Sequence, residues 1–127
     1  MDRPTSRSEL MSTILIAHAV GLFAAGVAGT IGTTSGFSFS GGGLGLLVGG
    51  MLSIPWLVVI GVFVWFQGGL IERNPIGFAV LGPILVCGTY AYFMEVFWQA
   101  TAISSVVSSA VYLPLALWQI RRRTALD

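Results

Sequence analysis

Apolar residues along this chain are gathered into four long runs, and nearly all charged residues lie before, between or after these runs. The runs cover residues 11–31, 44–66, 76–97 and 103–120. Each is close to the ~20 residues that an α-helix needs to cross the ~30 Å hydrocarbon core of a bilayer. The pattern therefore predicts an all-α membrane protein, built as a bundle of four transmembrane helices.

The composition favours the same class of protein. Of the 127 residues, 55% are hydrophobic and 9% are charged, whereas a soluble domain carries about 25% charged residues. The polar segment before the first run is too short to build a core of its own. We therefore expect residues 1–127 to form a single integral membrane domain whose surroundings are the lipid bilayer.

The distribution of positive charge predicts how the chain crosses the membrane. The six basic residues lie outside the apolar runs and are Arg3, Arg7, Arg73, Arg121, Arg122 and Arg123. They fall before the first run, between the second and third, and after the fourth, so the other two connections have none. Because cytoplasmic segments are enriched in Arg and Lys, both termini are predicted in the cytoplasm. We expect a multi-pass protein of a prokaryotic cell membrane, with no nucleic-acid partner.

The first run also has two features of a signal peptide, a basic flank before it and small residues near its end. Signal peptides, however, have an apolar core of about 7–15 residues. The run here is longer than that, so we expect it to be retained as a membrane helix.

Small residues recur at four-residue spacing in three of the runs. They are Ala17, Gly21, Ala25 and Gly29 in the first run, Gly45 and Gly49 in the second, and Ser104 and Ser108 in the fourth. In lipid, such stripes let two helices approach closely. Two interpretations stay open: packing between helices of one bundle, or an interface with a second copy or another membrane protein.

Three prolines fall inside the runs, at Pro55, Pro83 and Pro114. A proline has no N–H, so the carbonyl four residues earlier loses its helical partner. Lipid offers no replacement. The freed carbonyls should therefore find partners within the protein.

His18 is an ionisable side chain inside the first run. Such groups are costly in a membrane and are candidates for function. One interpretation is a neutral histidine bonded to a carbonyl freed by proline, at Ala79 or Ala110. The other is a haem or metal ligand, although the chain has no second histidine.

Glu95 lies near the predicted outer end of the third run. Tyr92 and Gln99 would share its helix face if the helix continued through all three residues. This group is a candidate cation or proton site at the mouth of the bundle. The alternative is a carboxylate solvated at the level of the lipid headgroups, where ionised side chains cost little.

The sequence contains no hydrolase triad, phosphate-binding loop or paired metal-ligand motif. We therefore expect no enzyme activity, no cofactor and no bound metal. The favoured hypothesis is a non-catalytic accessory or assembly subunit that docks to a larger membrane complex through its small-residue stripes. The alternative is a small oligomeric transporter or channel for an ion or small solute, with Glu95 facing its path.

Overall fold

Four long helices make up the protein in a computed structural model, which describes residues 7–31, 36, 38–95 and 98–125. They are α1 (Arg7–Ile31), α2 (Phe39–Arg73), α3 (Pro75–Phe93) and α4 (Trp98–Thr124). Each is long and apolar enough to cross a membrane, and the described ranges contain no strand. The prediction of four helices that are long and apolar enough to span a membrane is confirmed.

Three helices extend beyond their predicted limits at the ends that carry arginine. α1 begins at Arg7 instead of residue 11, α2 ends at Arg73 instead of residue 66, and α4 continues to Thr124 instead of residue 120. The apolar runs mark only the part of each helix suited to hydrocarbon. Charged residues such as Glu9 and Arg121 are good helix formers, so the helical backbone continues into the polar flanks.

The start of α2 corrects the predicted connection between the first two runs. The apolar runs leave residues 32–43 as the connection, but α2 begins at Phe39, and residues 32–35 and 37 lie outside the described residues. Ser38 has an extended backbone and its Oγ accepts a hydrogen bond from Ser40 N at 3.2 Å. Ser38 is therefore an N-cap, which explains how a glycine-rich stretch can begin a helix.

α2 is continuous from Phe39 to Arg73 but irregular at two places. Gly45–Gly49 forms a π-helical turn, and Gln67 has non-helical angles of φ −122° and ψ 21°. The second irregularity bends the last turn and a half of α2. As a result, Glu72 lines a small cleft together with Leu10 of α1 and Gln119 of α4.

The connection between α3 and α4 lies earlier than predicted. α3 ends at Phe93 instead of residue 97, and α4 begins at Trp98, inside the expected connection at residues 98–102. Met94 leaves the helical conformation with φ −143° and ψ 76°. Hydropathy missed this turn because the residues on both sides of it are apolar or aromatic.

The helices pack with α1 and α4 at the centre of the bundle. α1 contacts both α2 and α4, α4 also contacts α3, and the contact between α2 and α3 is the least extensive. We call the end formed by the start of α1, the α2–α3 connection and the end of α4 the arginine end. The largest cluster of buried residues lies mainly toward this end and includes Leu10, Ile14, Ala17, Val64, Ile71, Tyr112 and Ala116.

Aromatic rings hold two arginine side chains at the arginine end. The guanidinium of Arg7 lies 5.2 Å from the ring centre of Trp65, and that of Arg122 lies 5.3 Å from the ring centre of Trp118. Cation–π pairs of this kind stabilise charge next to an apolar region. They place a belt of tryptophan and arginine around one end of the four apolar helices, as membrane interfaces favour.

Candidate functional site

A cavity of about 280 Å³ lies among the four helices and is partly open. Most of its lining is aliphatic or aromatic, including Leu52, Trp56, Ile60 and Val86. Polar side chains line it from all four helices: His18, Ser53, Tyr90, Thr101, Ser104, Ser105, Ser108, Ser109 and Tyr112. A partly enclosed, mostly apolar cavity with a few polar groups is the usual form of a small-molecule site.

Close packing between α1 and α2 forms one wall of this cavity. A Cβ atom added to Gly26 would lie 2.2 Å from the carbonyl oxygen of Gly41, and one added to Gly45 would lie 2.5 Å from that of Leu22. One added to Gly49 would meet the Leu22 side chain. Only glycine permits this approach, so we call the contact the glycine seam.

The π-helical turn keeps the glycine seam straight. Along a regular α-helix, residues four apart overshoot a full turn by about 40°, so a four-residue stripe drifts around the helix. A π-turn is wider and offsets this drift. Gly41, Gly45 and Gly49 therefore all face α1, and Ser53, the next residue at this spacing, does so as well.

Ser53 is the hydrogen-bond partner of His18. Nε2 of His18 lies 2.8 Å from Ser53 Oγ, and Ser53 Oγ donates to the Gly50 carbonyl at 3.0 Å. Ser53 is 6% exposed. The prediction of a carbonyl at Ala79 or Ala110 as the partner of His18 is therefore wrong, since His18 faces α2 at a point where that helix offers a hydroxyl.

The contact between α1 and α4 uses the opposite small-residue stripe. A Cβ atom on Gly21 would lie 2.1 Å from Ser108 Oγ and 2.3 Å from the Ser104 carbonyl oxygen. Ala17 is 2% exposed in the core. Ser108 Oγ is buried and has no hydrogen-bond partner among the residues that the structure describes. Small residues thus bring these two helices together and leave one hydroxyl unsatisfied.

Not every member of the predicted stripes lies in a helix contact. Ala25 lines the cavity, and a Cβ atom added to Gly29 would have no neighbour within 4 Å. Gly26 and Gly41, which the stripes did not include, make the closest approach at the far end of α1. The small residues of α1 therefore lie on two faces of the helix. Gly21 faces α4, and Gly26 faces α2.

The carbonyl freed by Pro83 has a partner inside the protein. Ser109 Oγ donates to the Ala79 carbonyl at 2.7 Å, which joins α4 to α3. Close to Pro55, the Tyr90 hydroxyl donates to the Leu52 carbonyl at 2.5 Å, which joins α3 to α2. Both bonds lie at the cavity wall. Pro83 thus explains why the Ser109 hydroxyl enters this apolar interior, whereas the Leu52 carbonyl is not the one that Pro55 deprives of its helical partner.

The structure separates the three residues of the predicted site around Glu95. Tyr92 is 83% exposed in the last turn of α3, Glu95 is exposed in the connection after Met94, and Gln99 is exposed in the first turn of α4. The helix does not continue through them, so they do not share a helix face. None of the three lines the cavity.

The described residues bring together no group of three His, Cys, Asp or Glu side chains that is able to hold a metal ion. His18 has the Ser53 hydroxyl as its hydrogen-bond partner. A neutral imidazole in this setting can donate and accept hydrogen bonds.

Sequence reasoning missed Ser53, Tyr90 and Ser109, which carry the polar contacts of the cavity. A serine or tyrosine in an apolar run usually bonds to its own helix or sits at the interface, so none stood out. Ser53 had a usable signal, because it continues the four-residue spacing of Gly45 and Gly49.

No protein-family model, curated protein or solved structure matches this chain in the comparisons with known proteins.

Proposed function

We propose that this protein is a non-catalytic membrane protein that binds a small, mostly apolar molecule in the cavity among its four helices. The cavity of about 280 Å³ carries the proposal. Empty apolar cavities of about half that volume already bind benzene-sized molecules. The contact between α2 and α3 is the least extensive in the bundle, so a ligand dissolved in lipid has a short route between them.

Equilibrium dialysis of 1-methylnaphthalene tests this proposal with the full chain in lipid nanodiscs. Protein-free nanodiscs measure partitioning into lipid, and the saturable remainder is binding to the protein. Gly82 lines the cavity and has open space where a Cβ would lie. Gly82→Phe should fill the cavity and reduce saturable binding at least tenfold.

Gly88→Phe is the matched control. Gly88 lies on the same helix and also has open space at its Cβ position, but it does not line the cavity. It should leave binding unchanged. Absence of saturable binding to the unmodified chain, or equal binding to both variants, would contradict a ligand in the cavity.

A second candidate function is that of an accessory or assembly subunit docked to a larger membrane complex. It is favoured by α3, in which Ala79 is the buried residue, while Gly88 stands on an exposed surface. A partner helix or a second copy can approach closely there. Affinity purification from native membranes should recover the partner, and Gly88→Phe should reduce its recovery while Gly82→Phe should not. Recovery of the chain without any partner protein would argue against this function.

We further propose the cell membrane of a prokaryote as its location, with the arginine end in the cytoplasm. The support is the clustering of Arg7, Arg73 and Arg122 at one end of the bundle. A reporter fused after Asp127 should be active on the cytoplasmic side, and one inserted at Gly36 on the other side. Activity with the reverse pattern would overturn this orientation.

A further inference from the structure

We propose that the ligand of this cavity is a neutral, mostly apolar molecule with one hydroxyl group, which donates a hydrogen bond to Nδ1 of His18. This inference rests on the proposed binding function and specifies the class of ligand. It follows from the proton positions in the His18–Ser53 pair, from the surroundings of His18, and from the absence of charge in the described lining.

The proton positions follow from the bonds of Ser53. A carbonyl oxygen only accepts hydrogen bonds, so the Ser53 hydroxyl uses its one proton on the Gly50 carbonyl, 3.0 Å away. Ser53 Oγ must then accept from His18. Nε2 of His18, at 2.8 Å, therefore carries the proton in the neutral ring. Nδ1 remains as a bare acceptor.

Nδ1 has no hydrogen-bond partner among the residues that the structure describes, where the His18 ring bonds only to Ser53. The ring is partly buried and lines the cavity. An acceptor that lacks a partner in apolar surroundings is unfavourable, so a donor supplied by a ligand gains more here than at a surface in water. The acceptor thus selects for a ligand that has an O–H group.

The rest of the lining sets the body of the ligand. Among its described residues there is no Asp, Glu, Lys or Arg, so a charged ligand would lose its hydration without gaining an opposite charge. Leu22, Leu57 and Val86 line the cavity with Trp56 and offer apolar surface instead. A neutral hydrocarbon body with a single hydroxyl matches this arrangement.

A matched pair of probes tests the inference. 1-Naphthol and 1-methylnaphthalene have nearly the same size, and only the first donates a hydrogen bond. Both should show saturable binding to the full chain in nanodiscs. After correction for partitioning into lipid, 1-naphthol should bind about fivefold more tightly, which corresponds to one net hydrogen bond.

The single histidine of the chain gives a direct readout. With 15N-labelled histidine, the two ring nitrogens of His18 give one pair of signals, which should show Nε2 protonated and Nδ1 bare in the free protein. 1-Naphthol should shift the Nδ1 signal in the direction of a hydrogen-bonded acceptor. 1-Methylnaphthalene should leave it nearly in place.

Variants separate this inference from the proposed function. His18→Phe keeps a ring of similar size without an acceptor and should abolish the preference for 1-naphthol while 1-methylnaphthalene still binds. Ser53→Ala frees Nε2 and should reduce the preference as well. Equal binding of both probes with an unmoved Nδ1 signal would overturn the hydroxyl assignment and leave the cavity function intact. Absence of saturable binding by either probe would remove both.

Discussion

Ser108 and Ser109 are neighbours in α4, yet their hydroxyl groups have opposite surroundings. Ser109 Oγ donates to the Ala79 carbonyl, which Pro83 deprives of its helical partner. Ser108 Oγ is packed against Gly21 and, within the described part of the chain, has no hydrogen-bond partner. Because an unsatisfied buried group costs about as much as a satisfied one contributes, the two serines should affect stability with opposite sign.

Alanine substitutions of these two serines test that expectation. Ser109→Ala leaves the Ala79 carbonyl unpaired in an apolar interior and should lower the free energy of unfolding by about 1–2 kcal/mol. Ser108→Ala removes an unpaired hydroxyl and should leave stability unchanged or raise it. Thermal unfolding in a mild detergent measures both.

Pro83→Ala supplies the control for the first substitution. It restores the backbone bond to the Ala79 carbonyl, so Ser109→Ala should cost much less in that background. Equal losses of stability with and without Pro83 would mean that the serine acts through something other than the freed carbonyl.

Glycine positions decide how closely α1 approaches its two neighbours. Gly21 meets α4 at the Ser104 carbonyl, and Gly26 meets α2 at the Gly41 carbonyl. Backbone atoms cannot move aside as a side chain can, so a methyl group at either position separates whole helices. Gly29 lies on the same helix in open space.

Gly21→Ala should therefore lower the free energy of unfolding by about 1–3 kcal/mol through overpacking. Gly29→Ala adds the same methyl group without a neighbour and should raise stability by up to about 1 kcal/mol, since alanine favours the helix. Thermal unfolding of the two variants gives the comparison. Similar melting temperatures would show that α1 and α4 are not in close contact at Gly21.

The limits of sequence reasoning also lie at the level of helices. Hydropathy located all four because lipid demands long apolar stretches, which are visible in any single chain. It misplaced the end of α3, because Met94 turns the chain between two apolar helices. The sequence also indicated His18, as an ionisable residue in an apolar run, but it did not indicate Ser53. A hydrogen bond between helices depends on how α2 is rotated against α1. That rotation is set by the π-turn at Gly45–Gly49, which no hydropathy pattern encodes.

As a whole, the molecule has its buried cluster toward the arginine end and a partly open cavity next to that cluster. The largest buried cluster joins Leu10 and Ile14 to Val64 and Tyr112. Farther along, the glycine seam holds α2 against α1 while α3 follows α4. The cavity occupies the space left between these two helix pairs. Because α1 and α4 make the most extensive helix contact and α2 and α3 the least extensive, the two pairs can separate most easily at α2 and α3.

Tyr90 bridges the least extensive helix contact, because its hydroxyl donates to the Leu52 carbonyl across the space between α3 and α2. Tyr90→Phe removes only this bond and should let the two helices separate more widely. Spin labels at Val58→Cys and Leu85→Cys, both exposed positions, report the distance between α2 and α3 in nanodiscs. Replacement of the free Cys87 by alanine keeps the labelling specific.

The distance distribution between these labels should broaden toward longer values in Tyr90→Phe. Tyr92→Phe is the control, because Tyr92 is 83% exposed and does not line the cavity, so its variant should leave the distribution as it is. One hydrogen bond of about 1 kcal/mol changes a two-state population roughly fivefold, which such a measurement resolves. An unchanged distribution in both variants would show that packing of α3 on α4 alone sets the opening of the cavity, and that the Tyr90 hydroxyl has no part in it.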